Sequence, residues 1–506
     1  MSGPVLLHHL LERSPAQGSH PAVVEGEVTH SHAALRERVD RLAGALRAAG
    51  VRRGDRVAIV LPKSFDECAA IFAASRADAV FVPINPVLRP QQVRHILVDS
   101  GARAVITATG ETVRLAEALE GLSEVAVVTV DAPLPADAAS PGACESIGQD
   151  LAAILYTSGS TGTPKGVMLS HANLLAGTRI VRTYLGITAS DRILSVLPFS
   201  FDYGLNQLLT VVEQGATIVL CGFQLGDQIV GELARHRITG LAGVPTLWAI
   251  LTKAAPSLRR TPLPHLRYLT NSGGAVPEAT TRRLRELLPQ ARIYLMYGLT
   301  EAFRSTFLPP EEVDRRPTSI GRAIPECEVF PVTEDGRRAR PGEPGTLVHR
   351  GPTVSLGYWK RPEDTARVLR PNPLRPPEQG GETVCWSGDL VVEDEEGFLY
   401  FVARQDAMIK SAGYRISPTE VEEAVMRTGR FRQAAAIGLP DPWLGQKVCA
   451  VAVPNEPSTD VAAVLRAVGA DLPAHMVPAR LELVDALPVT PNGKVDYKAL
   501  VAERSC

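Results

Sequence analysis

The chain has almost no net charge: 53 Lys and Arg stand against 55 Asp and Glu, leaving −2 over 506 residues. It therefore offers no overall basic field to attract nucleic acid or an acidic lipid surface. Cysteine is sparse and unpatterned. The seven thiols are scattered, their number is odd and no Cys-x-x-Cys occurs, which argues against a zinc site or a disulfide framework and for a reducing compartment. No apolar run approaches the length of a membrane span. The N-terminal Met1-Ser-Gly-Pro-Val-Leu-Leu segment lacks the basic region and the cleavage site of a secretory signal, so the expected location is the cytoplasm. Internal repeats and low-complexity tracts are absent as well. What remains is a chain long enough for roughly three domains or subdomains.

The first third alternates helical and strand-like segments. Leu35, Val39, Leu42 and Leu46 recur at helical spacing before Gly50, and Arg56–Leu61 reads as a buried strand between Gly54 and Pro62. Ala79–Val82, Ala104–Thr107, Val125–Val130, Ile193–Val196 and Ala216–Cys221 read as further strands. Such alternation predicts α/β layers with largely parallel sheets. After about residue 325 short strands and Gly/Pro turns predict a smaller β-rich subdomain, with a surface loop at Pro371–Pro377. A small α+β unit follows, with a helix at Pro418–Met426 and a strand at Lys447–Val453. The expected organisation is a large domain over 1–404, a hinge at 405–406 and a small mobile domain over 407–506.

The densest chemical signal is Ile154-Leu-Tyr-Thr-Ser-Gly-Ser-Thr-Gly-Thr-Pro-Lys-Gly166. An apolar strand runs into glycines, whose backbone N–H groups can converge on an anion, with hydroxyls and Lys165 adding donors and charge. The pattern suits a polyphosphate, although the Gly-x-x-x-x-Gly-Lys-Ser/Thr spacing of the P-loop is missing. The bland alternative is a flexible Ser/Gly loop.

This segment resembles the phosphate-binding signature of the adenylate-forming superfamily: acyl-CoA synthetases, nonribosomal-peptide adenylation domains and luciferases. Further stretches follow in that family's order: Asn271-Ser-Gly-Gly-Ala275, Tyr297-Gly-Leu-Thr-Glu301, Gly345-Thr through Gly357-Tyr-Trp359, Trp386-Ser-Gly-Asp389, Arg404 through Lys410 with Gly413, and Pro491-Asn-Gly-Lys494. The resemblance implies ATP and Mg²⁺ as cofactors. It implies a nucleotide site of Ser158, Gly159, Ser160, Thr161, Gly162, Lys165, Gly273, Gly274, Tyr297, Gly298, Thr300, Asp389 and Arg404. Tyr297 would lie beside adenine, Asp389 would accept the ribose hydroxyls, and Glu301 would offer Mg²⁺ a hard oxygen. Thr157, Lys165, Glu301 and Lys494 form the implied catalytic set, with Lys494 bridging the acid and the α-phosphate. Singly, each has a plainer reading: Lys494 and Arg404 as solvated cations, Asp389 as a turn residue, Tyr297 as core.

Two half-reactions follow from the resemblance. A carboxylate attacks the α-phosphate of ATP, giving acyl-AMP and pyrophosphate, and a phosphopantetheine thiol then displaces AMP. The small domain would turn about Asp406 between them, presenting first Lys494 and then the face around Gly413. The implied acid pocket comprises Phe201, Asp202, Asn206, Ser272 and Arg304. Ser200-Phe-Asp202 resembles amino-acid adenylation domains, where the aspartate pairs with the substrate ammonium; otherwise Asp202 caps a helix starting at Tyr203. Asp202, Ser272 and Arg304 together resemble stand-alone enzymes activating 3-methylaspartate or other β-amino acids, with Arg304 able to fork onto a second carboxylate. Alternatively, Arg304 turns outward and binds phosphate, or makes a structural ion pair. The run Met296–Pro310 also resembles exosortase-associated acyl-CoA ligases.

The resulting expectation is ATP-dependent activation of a small carboxylic acid, an amino acid, and its transfer to a separate carrier protein. An acyl-CoA synthetase for a non-amino acid and a catalytically silent binding member are the alternatives.

Overall fold

The computed structural model describes residues 5–16, 18–133, 142–158, 164–222, 226–375, 377–379, 381–404, 408–411, 414–441, 444–456, 458–491 and 493–504. The apolar runs of the first third become a six-stranded sheet. Its spatial order is Ala126–Thr129, Ala102–Thr107, Arg56–Val60, Val80–Pro83, Leu151–Ser158 and Pro164–Ser170. The first five are parallel, and the last two form an antiparallel hairpin that pairs Thr157 with Lys165. Val57, Ala58 and Ile59 are buried on both faces, as a continuous apolar run in a parallel sheet requires. The helix His32–Ala48 carries the expected apolar stripe, with Leu35, Val39, Leu42 and Leu46 all buried.

A second sheet collects the middle of the chain. From one side it runs Val28–Ser31, Pro21–Glu25, Thr217–Leu220, Arg192–Ser195, Gly240–Gly243, Tyr268–Asn271 and Arg292–Tyr297, parallel from Pro21–Glu25 onward. The β-rich region expected as a unit of its own continues this sheet. Thr306–Leu308 pairs antiparallel onto Arg292–Tyr297, and Ser319–Ala323 antiparallel onto Thr306–Leu308, leading into Leu399–Arg404, Thr383–Glu393, Pro344–Arg350 and Glu328–Val332. The surface loop expected at Pro371–Pro377 is partly structural: Pro371 ends a short strand, and buried Asn372 donates to Glu382 Oε2 at 3.0 Å.

The two sheets share one apolar core. Helix Phe65–Arg76 packs against strands of both, and its Ala-rich sequence lets it be buried from Glu67 to Ser75. The small C-terminal unit is built on the long antiparallel pair Phe431–Asp441 and Gly445–Pro454, with helix Pro418–Arg427 packed on it. Ser417 ties this helix back to the large domain: its hydroxyl accepts from Glu420 N and donates to Val402 O at 2.5 Å. The expected hinge residue Asp406 lies outside the described residues. Among the described residues, no helix is long and apolar enough to cross a membrane.

One glycine governs the site's placement. Helix Asp202–Gln214 begins at Asp202 itself and Asp202 makes no side-chain cap, so the alternative reading of Asp202 as the cap of a helix from Tyr203 does not hold. A Cβ on Gly204 would overlap the Pro198 carbonyl oxygen and lie 2.8 Å from that of Leu197. The helix thus rests directly on the loop that delivers it. Gly204→Ala is expected to cost about 1–3 kcal/mol in urea unfolding through overpacking; a neutral result would show that the loop yields freely.

Candidate active site

The cleft lies where parallel strands end. Arg192–Ser195, Gly240–Gly243, Tyr268–Asn271 and Arg292–Tyr297 are neighbours, and their ends, with the loops and helix starts after them, carry Asp202, Thr246, Ser272–Gly274 and Tyr297–Arg304. This is the usual crevice of an open α/β sheet. The loop at Gly273 and Gly274 is shaped by its own motif. Trp248 Nε1 donates to Asn271 Oδ1 at 2.9 Å, and Asn271 Nδ2 donates to Gly274 O at 2.9 Å.

On one side of the cleft Tyr297 donates its hydroxyl to Asp389 Oδ2, and Arg404 Nη1 lies 3.3 Å from Asp389 Oδ1. Burial and the adjacent carboxylate push the Tyr297 phenol well up. Asp389 is buried, whereas Arg404 is half exposed. His349 stacks on Tyr297 with ring centroids 6.1 Å apart. Its two nitrogens have no partner among the described residues, and burial drives its pKa down to about 3, so it is a neutral backing for the tyrosine.

Next to this pair, Thr300 and Glu301 form a short 3₁₀ turn. Tyr358 donates to Glu301 Oε1 at 2.5 Å, and its ring lies 5.7 Å from Lys165 Nζ. Lys165 pairs with Asp364 Oδ2 at 2.9 Å. Gly159, Ser160, Thr161 and Gly162 lie outside the described residues, as do Gly413 and the side chain of Ser158; Thr157 and Lys165 bracket that loop from the two hairpin strands.

The opposite side is a run of alternating cations and rings. Lys494 follows Gly493, which has φ +76° and whose N–H donates to Thr490 O at 2.9 Å, closing a turn. Asn85 Nδ2 donates to Pro491 O at 3.5 Å and Thr246 Oγ1 to Gly493 O at 3.4 Å, docking the turn on the large domain. A Cβ on Gly273 would come within 3.0 Å of Lys494 Cε, so this glycine leaves the passage for the lysine. The Lys494 ammonium, still open to the cleft, lies 5.2 Å from the Phe201 ring centroid. Phe201 meets Tyr203 edge-on at 6.0 Å and 90°, and Tyr203 carries the Arg304 guanidinium on its face at 4.6 Å. Cations on ring faces are attracted by the ring quadrupole. Desolvation within the cleft lowers the Lys494 pKa; Asp202 and Glu301 oppose that, and Arg304 and Arg404 add to it.

Arg304 is turned inward by a strained backbone. Phe303 has φ +37° and Arg304 φ +114°, conformations that cost side-chain-bearing residues about 1–3 kcal/mol each. Phe303 is wholly buried in the space where a Cβ on Gly177 would sit, and Gly298 leaves room for Arg304 Cα. Arg304 Nη1 lies 3.5 Å from Asp202 Oδ2, both side chains buried. Nε and Nη2 of Arg304 have no partner among the described residues, and neither have Asn206 Nδ2, one turn on from Asp202, or Ser305 Oγ. Ser272 is buried as well, its N–H donating to Gly243 O at 3.3 Å. Arg304 does not turn outward; its contact with Asp202 is the ion pair of the alternative reading. The ring of Phe201, expected in the acid pocket, also carries Lys494. Tyr203, Tyr358 and Asp364 were not assigned from sequence; only Tyr358 had a signal, as part of Gly357-Tyr-Trp359.

A family model described as AMP-binding enzyme matches residues 11–359, and one described as the AMP-binding enzyme C-terminal domain matches 420–494. Feruloyl-CoA synthase of Amycolatopsis sp is 34 % identical over 480 residues, 94 % of each chain. Bacitracin synthase 3 of Bacillus licheniformis is 30 % identical over 502 residues, which make up 98 % of this chain but 8 % of that protein. Among solved structures, ATP-bound MatB from Rhodopseudomonas palustris matches with a TM-score of 0.88 at 28 % identity, covering 99 % of this chain and 98 % of that one.

Replacing Phe201 by Leu keeps apolar bulk and removes the ring face beneath Lys494. A cation–π contact worth about 0.5–2 kcal/mol predicts a roughly 2- to 30-fold fall in acid-dependent pyrophosphate exchange at saturating acid. If only the KM for acid changes, Phe201 is a substrate wall and no platform for the lysine.

Proposed function

The chain belongs to the AMP-binding enzyme family of AMP-forming ligases, and from that premise we propose that it activates an amino acid carrying a second carboxylate, such as an aspartate-like or β-amino acid. One carboxylate oxygen attacks the α-phosphorus of ATP; a new O–P bond forms and the bond to the bridging oxygen breaks, releasing pyrophosphate. A phosphopantetheine thiolate then attacks the acyl carbon, its proton having gone to solvent, and AMP leaves. Lys494 supplies positive charge where oxygen and phosphorus meet in the first step. Tyr297, Asp389 and Arg404 hold the nucleoside, and Lys165 with the glycine loop holds the phosphates. Glu301 suits Mg²⁺ as one hard-oxygen ligand, and the ion when bound would neutralise phosphate charge.

The observation that carries the substrate reading is the pair of unpartnered donors on buried Arg304. A buried N–H without an acceptor costs about 1–3 kcal/mol, and a forked carboxylate would satisfy both. Asp202 beside it would take the ammonium, so the pair presents one charge of each sign to a zwitterionic end. A second reading, an acid without an amino group, is favoured by the Asp202–Arg304 contact itself, which already neutralises Asp202. The acceptor in our reading is the phosphopantetheine of a separate carrier protein; feruloyl-CoA synthase is named for the CoA alternative.

Pyrophosphate exchange with a panel of acids separates these readings. Aspartate-like and β-amino diacids should exceed their monocarboxylic and deaminated counterparts, and Arg304→Gln should erase the preference for the second carboxylate by about tenfold or more. Turnover of fatty or aryl acids with none of amino acids, persisting in Asp202→Asn, would overturn the amino-acid reading.

A further inference from the structure

The lysine assigned to the phosphates already has an anion. Lys165 Nζ is 2.9 Å from Asp364 Oδ2, with the two side chains only 14 % and 21 % exposed. The partner is held firmly. Asp364 stands in the first turn of helix Pro362–Val368, where Tyr358 N donates to Thr365 Oγ1 at 2.9 Å and Gly357 leaves the space that Thr365 fills. The same Tyr358 donates to Glu301 and lies below the Lys165 ammonium, so Asp364 belongs to the chain of contacts that reaches the Glu301 carboxylate. Asp364 also has a second cation: Arg367 Nη1 lies 3.4 Å from its other oxygen, so losing Lys165 would not leave it unpaired. Among the described residues, Lys165 meets only this carboxylate and the Tyr358 ring.

A carboxylate at this distance from a phosphate-binding lysine competes for it. A triphosphate arriving at Lys165 meets a site whose charge is already neutralised and must displace Asp364 or bear its repulsion. We propose that Asp364 is an internal competitor of the phosphates: it occupies Lys165 in the nucleotide-free enzyme, yields it to ATP and reclaims it as pyrophosphate leaves. This rests on the reading of Lys165 as a phosphate ligand. The consequence is that Asp364 weakens ATP binding and speeds pyrophosphate release, the reverse of what a merely structural ion pair would do.

The test is Asp364→Asn in the full chain, read as the KM for ATP, the inhibition constant of pyrophosphate and the ATP-induced rise in Tm. Both constants should fall about two- to fivefold, the scale of a partly exposed ion pair, and the ATP-induced rise in Tm should grow. In a Lys165→Ala background the substitution should change neither constant, because the group competed for is gone. Unchanged or higher constants in Asp364→Asn, with ATP binding impaired by Lys165→Ala, overturn the competitor and leave the phosphate role standing. Lys165→Ala with an unaltered KM for ATP sinks the phosphate role itself. Asp364→Ala, checked by far-UV circular dichroism, repeats the comparison should the Asn variant fold poorly, and the same signs apply.

Discussion

Two like charges, the Lys494 ammonium and the Arg304 guanidinium, share one cleft, and the arrangement around them follows from keeping both there. Each lies on an aromatic face, Lys494 on Phe201 and Arg304 on Tyr203, and the rings meet at a right angle. Asp202 touches Arg304 and attracts Lys494 from the same position on its helix. One carboxylate therefore serves two cations on this side of the cleft, and Glu301 also attracts Lys494. In our reading, an incoming acid with two carboxylates turns its reacting group toward Lys494 and its distal one toward Arg304.

The backbone pays for this geometry with strain that the core absorbs. Two successive side-chain-bearing residues, Phe303 and Arg304, hold positive φ. Phe303 fills a hollow left by Gly177, and its complete burial stabilises the turn by about 1.5–3 kcal/mol, the same order as the strain. Arg304 is thereby aimed inward by its neighbour's packing. A glycine on one helix and a phenylalanine on a distant loop thus decide which charge the acid pocket presents.

Much of the frame was legible in sequence because it rests on local pattern. Val57–Ile59 and Val80–Val82 read as strands since a buried parallel strand needs an unbroken apolar run, and the helix over Leu35–Leu46 since its stripe repeats at 3.6 residues. The resemblance named Gly273 and Tyr297 for the nucleotide site without placing them on elements; the structure sets both where strands Tyr268–Asn271 and Arg292–Tyr297 end. The alternative cap role of Asp202 fails because helix Asp202–Gln214 already includes it, with Phe201 before it and no side-chain cap. What sequence could not show were contacts made only by tertiary docking. Nothing near Phe201 announces a lysine from the C-terminal domain, and nothing near Asp364 announces Lys165. The continuity of the second sheet was hidden likewise, because Thr306–Leu308 is too short to read as a strand yet joins its parallel and antiparallel parts.

The electrostatic coupling of the two cations is open to direct measurement. Lysines can be methylated with ¹³C and titrated by NMR, the Lys494 signal being identified by its absence in Lys494→Arg. Desolvation and Arg304 hold this ammonium below the ordinary lysine value of 10.5, with Asp202 in opposition. Arg304→Gln removes a repulsive neighbour and releases Asp202 toward the lysine, so the titration midpoint should move upward from its wild-type position. A midpoint that stays in place or moves down would mean that the two charges do not sense each other, and the shared cleft would lose its physical basis.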